Sequence, residues 1–245
     1  MKWKLLVMAA VTLIVGAMGV FGAPTGPTSY SVGNSERGAI EGQGPVNINA
    51  QAGNITELVF NATAITKNWQ GYFGNISGKI TLDDARNWTL YDWNYANAQG
   101  YIFASRINSV TWTNIQCMKF SGNGSLYPNV TTEETIMGAN AVDVDGVDET
   151  FGLAAHSTLT IGTISISANT CNSTYLYVND TSQTNDFVEV LLTDNSSNNS
   201  VVYTTILEQD VHGFNNRTTD FELLVSENGH QNTATTPYYF WVELI

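Results

Sequence analysis

The stretch Ile76-Ser77-Gly78-Lys79-Ile80-Thr81-Leu82 decides the fold class. Ile76, Gly78, Ile80 and Leu82 alternate with polar residues, which is the two-residue period of a strand with one buried face. The stretch closes a longer run, Trp69–Leu82, and the same texture extends in both directions. Ile55–Ile65 precedes it. After it come Trp88–Trp93, Tyr101–Arg106, Ser109–Lys119, Thr158–Ser167, Tyr175–Asn179, Phe187–Thr193, Val201–Glu208, Phe221–Ser226 and Tyr238–Ile245. Turn formers stand between the runs: Gly74, Asp83-Asp84, residues 94–100 and residues 122–128. Only Glu133–Met137 suggests a turn of helix, and residues 141–152 are acidic and irregular. The expectation is therefore an all-β protein, an antiparallel β-sandwich of immunoglobulin-like or jelly-roll-like form with about ten strands. A parallel α/β sheet would need crossover helices, and none is legible. The β region spans residues 54–245, as one sandwich or as two packed β subdomains meeting near residue 130. Its closing strand must be paired inside a sheet, since an open apolar edge invites aggregation.

Upstream the texture changes. Met1-Lys2-Trp3-Lys4 is basic, Leu5 to Phe21 carries no charge, and Gly22-Ala23 ends the run in small residues. That is the pattern of a secretory signal peptide over residues 1–23. Uncleaved, it would serve as a membrane anchor. Residues 24–53 are rich in Gly and Pro and read as a tether. Within it Val46-Asn47-Ile48-Asn49-Ala50 alternates like a short strand. It is either a first strand of its own sheet or a donor strand that completes a neighbouring subunit's sheet.

The chain carries 9 basic and 22 acidic residues, a net charge of −13. Losing Lys2 and Lys4 with the signal leaves 7 basic residues and a net −15. Such a surface repels phosphate backbones and anionic headgroups, which argues against nucleic acid and peripheral membrane as partners. Hydrophobic content of 43% and aromatic content of 11% are enough to form a core rather than a disordered chain.

Export gives meaning to two residue patterns. Cys117 and Cys171 are the only cysteines, and in an oxidising compartment they are expected to form a disulfide. Asn-x-Ser/Thr sequons begin at Asn54, Asn61, Asn75, Asn87, Asn123, Asn129, Asn172, Asn179, Asn195, Asn198 and Asn216, so 11 of 26 asparagines sit in one. N-glycosylation of exposed loops is the expectation.

Two constellations suggest ligands. Asp143, Asp145, Asp148 and Glu149 surround Gly146, and carboxylates about a glycine turn suit Ca²⁺, the only cofactor the sequence suggests. The spacing departs from an EF-hand loop, and a solvated acidic loop is the plainer reading. Aromatic residues concentrate from Trp69 to Phe103, and Trp69, Trp88 and Trp93 are candidates for a sugar-stacking platform. Aromatics on strands are also ordinary core residues. No catalytic residues are expected. His156, His212 and His230 lack metal-ligand spacing, and no Gly-x-Ser-x-Gly elbow or phosphate-binding loop occurs.

Residues 65–75 (Ile65-Thr66-Lys67-Asn68-Trp69-Gln70-Gly71-Tyr72-Phe73-Gly74-Asn75), Thr89–Trp93, Gly146–Phe151 and the closing Tyr-Tyr-Phe-Trp-Val-Glu-Leu resemble stretches in an uncharacterised group of secreted, sequon-rich archaeal surface proteins. A more distant likeness, in architecture only, is to archaeal extracellular filament subunits joined by donor strands. The resemblance implies a secreted cell-surface structural or adhesive protein, self-associating or held by other surface proteins. A carbohydrate-binding module is the second reading and a secreted hydrolase the third.

Overall fold

In the computed structural model, residues 22–38, 45, 47–94, 99–120, 129–140, 142–181, 185–196, 200–228 and 235–245 are described. The signal-like run up to Phe21, and Val46 of the proposed donor segment, lie outside them. No helix among the described residues is long and apolar enough to cross a membrane.

The protein is all-β and sandwich-like. Fourteen strands and two short helices occur among the described residues, and every strand pairing is antiparallel. The central sheet is built on β9 (Val188–Asp194) and β10 (Ser200–Ile206), which pair with each other. Beyond β10 lie β4 (Gly100–Ser105) and then β14 (Tyr239–Leu244). The far edge of β9 is shared by two three-residue strands, β5 (Ile115–Cys117) and β8 (Ser173–Tyr175). Strands from both sides of residue 130 thus share one sheet.

The sequence explains why this sheet is central. Val188-Glu189-Val190-Leu191-Leu192 is a near-continuous apolar run, which suits a strand covered on both faces. Val190 and Leu192 join Tyr101, Phe103, Ile115 and Val202 in one core. The β6–β7 hairpin (Leu159–Ile161 and Ile164–Ile166) covers that face with Leu159, Ile161 and Ile166. Leu191, Val201 and Tyr203 face the other way and meet Leu223 and Val225 of β13 (Phe221–Ser226). β13 is paired along its length with β1 (Trp69–Gly74).

The same second core receives helix α1 (Val130–Met137) and the single turn α2 (Val147–Thr150). Asn129 caps α1, its Oδ1 accepting from the Thr132 N–H at 2.9 Å, and Gly138 ends it in the left-handed region at φ 77°. The helix is a full eight residues, where the sequence suggested a single turn. At the start of β4, Gly100 adopts φ +136°, and a Cβ there would stand 1.9 Å from the Glu243 carbonyl oxygen. Only glycine lets β4 and β14 approach so closely.

Cys117 and Cys171 form the expected disulfide, with Cα atoms 4.9 Å apart. It ties the last residue of β5 to the chain two residues ahead of β8, so that the two short strands along the edge of β9 are linked. His156 supports the same corner: its Nε2 accepts from the Cys171 N–H at 3.0 Å and the Thr170 N–H at 3.2 Å. That pattern puts the proton on Nδ1, which faces the Ser157 carbonyl at 2.6 Å. This histidine is a satisfied structural residue.

Three expectations are corrected. Ile55–Ile65 forms no strand: it lies outside every sheet and is exposed up to Ala64. An extended segment with no neighbouring edge has no ladder to join. Trp69–Leu82 is two strands, because β1 ends at Gly74 and β2 (Lys79–Asp83) pairs instead with β3 (Thr89–Asn94). Finally, β14 is an edge strand. β4 covers one side of it, and among the described residues the other side carries the bridge between Thr25 and Val242 alone.

Candidate functional site

The β2–β3 hairpin carries an exposed apolar face. Register places Ile80 opposite Trp93 and Leu82 opposite Tyr91, so these four side chains share one face. They remain 42%, 50%, 50% and 59% exposed for Ile80, Leu82, Trp93 and Tyr91, where a sandwich strand would bury such a face. The Tyr91 and Trp93 rings pack edge to face at 4.9 Å. The turn that leads in is firmly built: Asp84 Oδ1 accepts from the N–H groups of Arg86 and Trp88 at 2.8 and 2.9 Å. Trp88 projects from it, 73% exposed. On the opposite face an exposed ion pair joins Lys79 to Asp92 at 3.4 Å.

The expected tryptophan platform is not assembled as a trio. Trp69 sits in the second core, its ring 6.0 Å from Phe151 and 6.5 Å from Tyr203, and its indole N–H donates to the Asp145 carbonyl at 2.7 Å. Trp88 and Trp93 are both on the hairpin. The aromatic run from residue 69 to 103 therefore divides: Trp69, Tyr101 and Phe103 are core, while Tyr91 and Trp93 are surface.

The acidic loop is divided as well. Asp145 is occupied by the entry to β1, accepting from the Thr66 hydroxyl and from Asn68 Nδ2. The Asp143 carboxylate closes its own turn on the Asn140 N–H at 2.8 Å. Asp148 and Glu149 come together with a residue the sequence did not single out, Glu134 of α1. One carboxylate oxygen from each lies within 4.8 Å of the others. The signal for Glu134 is faint: it lies on α1's inner face beside Val130, Glu133 and Met137, and only the packing of α1 on α2 carries it to the loop. Burial, the hydrogen bond to Asp148 and the Asp148 charge all push the Glu134 carboxyl upward. Hydrogen bonds to Glu149 and Glu134 hold Asp148 low.

Its neighbour Glu133 serves a different purpose. Fully buried, it pairs with Arg106 and accepts from Tyr203 Oη at 2.9 Å and Ser226 Oγ at 2.6 Å. Both oxygens are satisfied, and the network joins β10, β13, α1 and the chain after β4. Glu189 is buried between the central sheet and β13, where one oxygen accepts from the Leu224 N–H at 2.7 Å and burial pushes its carboxyl well up.

The sequons fall into three groups. Asn54, Asn61, Asn75, Asn87, Asn179 and Asn216 are exposed. Asn129, Asn172 and Asn195 are half-buried, and Asn172 Nδ2, the atom a glycan would modify, donates to the Phe151 carbonyl at 2.9 Å. Asn123 and Asn198 lie outside the described residues. His212 is exposed on its short strand. Compared with family models, curated proteins and solved structures, the chain matches none.

Proposed function

We propose that this protein is a secreted, N-glycosylated, non-enzymatic component of a cell surface, structural or adhesive, that assembles by β-strand addition. The observation that carries the reading is the arm ahead of β1. Residues 47–64 form no strand and are exposed throughout, although Ile55, Val59 and Phe60 are large and apolar, at 102%, 81% and 71% exposure. Such a segment gains by adding to a sheet edge, where its backbone finds partners and its side chains find cover. The outer edge of β14, which among the described residues carries one bridge, to Thr25, is of the kind that accepts a strand.

The test is deletion. Removing residues 46–50 or residues 54–60 from the secreted chain separates the two candidate donor segments. Light scattering after size exclusion should show oligomers for the intact chain and folded monomers for the variant that lacks the donor. If both deletions assemble like the intact chain, strand addition from this arm is wrong.

A second reading, carbohydrate binding, rests on the exposed Tyr91–Trp93 pair. Sugar ring faces stack on such surfaces. Glycan titrations that leave the tryptophan fluorescence unmoved would count against it.

A further inference from the structure

We infer that the hollow beside Gly146 is a calcium site formed by Glu134, Asp148, Glu149 and the Asp143 carbonyl. The point where a Cβ of residue 146 would stand lies 2.5 Å from Glu149 Oε2, 3.1 Å from the Asp143 carbonyl oxygen and 3.2 Å from Glu134 Oε1. The turn itself places the Asp143 carbonyl, which accepts from the Gly146 N–H at 2.9 Å, while the carboxylate oxygens of Glu149 and of Glu134, the latter from α1, converge on the space that the glycine leaves open. Asp148 completes the carboxylate group within 4.8 Å.

The independent sign of a ligand is Glu134. Its residue is only 6% exposed, and its Oε1 has no hydrogen-bond partner while facing this hollow. A buried carboxylate oxygen without a donor is costly unless a cation or proton meets it. The donor set is all oxygen, which suits a hard cation. Its mixture of carboxylates and a main-chain carbonyl, open to water beside Asp148 and Glu149, favours Ca²⁺ over the stricter octahedral Mg²⁺. Four protein groups leave further positions to water, as in extracellular modules that bind with Kd of roughly 10⁻⁴ to 10⁻³ M. The site differs from the loop-only reading of the sequence: Asp145 is excluded, and the essential ligand comes from α1.

The test is calorimetric titration of the chelator-treated full chain with CaCl₂, and with MgCl₂ in parallel. One Ca²⁺ should bind per chain, more tightly than Mg²⁺. Glu134→Gln should weaken binding about tenfold or more, since a charged ligand is made neutral. Glu149→Gln, at an exposed position where folding is not at stake, should also weaken it. Absence of Ca²⁺ binding at millimolar concentration would overturn the assignment. So would affinity unchanged in both variants, or a preference for Mg²⁺.

Discussion

The β9–β10 pair and the β2–β3 pair are built alike and end differently. Each is an antiparallel ladder rich in Leu, Val, Ile and aromatic residues. In β9 and β10 nearly every residue is buried, because β6–β7 covers one face and β13 with the helices covers the other. In β2–β3 the face made by Ile80, Leu82, Tyr91 and Trp93 stays open. The alternation that makes a strand is local, whereas burial of the strand depends on what arrives later in the chain. A lone two-stranded hairpin is marginal in water. Contiguous exposed apolar faces of this kind are uncommon on monomeric proteins.

Ion pairs sharpen the contrast most. Glu133→Ala would strand Arg106 and the Tyr203 hydroxyl inside the protein, at a cost of about 3–5 kcal/mol in urea unfolding. Asp92→Asn breaks the exposed pair on the hairpin, and its expected cost is below about 1 kcal/mol. Leucines should repeat the pattern. Leu192→Ala in β9 is expected to cost about 2–5 kcal/mol. Leu82→Ala in β2, half exposed, should stay within about 0.5 kcal/mol. Equal losses at the two leucines would mean that the hairpin is covered within the monomer.

The next effect is one of pH. Burial raises the carboxyls of Glu189, Glu222 and Glu243 in the folded state. Each binds its proton more tightly folded than unfolded, so its contribution is complete below the ordinary Glu value of about 4.3. That contribution is lost as pH rises from there through the folded value. Stability measured from mildly acidic to neutral pH should fall, and Glu189→Gln should flatten the slope. A slope of opposite sign in that window would contradict the burial of these groups. The smallest effect concerns glycans: glycopeptide mapping should find Asn172 unmodified and sugar on exposed sequons such as Asn75 and Asn87. A glycan at Asn172 would require its bond to Phe151 to be broken.

The comparison also shows how far the sequence could be read. Tyr101–Arg106, Phe187–Thr193 and Phe221–Ser226 are legible because their residues meet neighbours wherever the sheet forms, and the structure has strands in each. The cysteine pair is legible because the sequence holds two cysteines and no more. Ile55–Ile65 has the same composition, yet lacks an edge to join, and no local pattern reveals that. The acidic cluster was half legible: Asp148 and Glu149 stand in the loop, but Glu134 arrives from a helix whose cap, Asn129, also reads as a sequon. Trp69 and Trp93 are chemically identical, and only tertiary packing makes one core and the other surface.

Strand addition is tested most directly by negative-stain electron microscopy of the full chain over a range of concentrations. Regular filaments or sheets are expected, with the arm ahead of β1 and the open hairpin face covered by neighbouring copies. Dispersed single particles at every concentration would contradict strand addition.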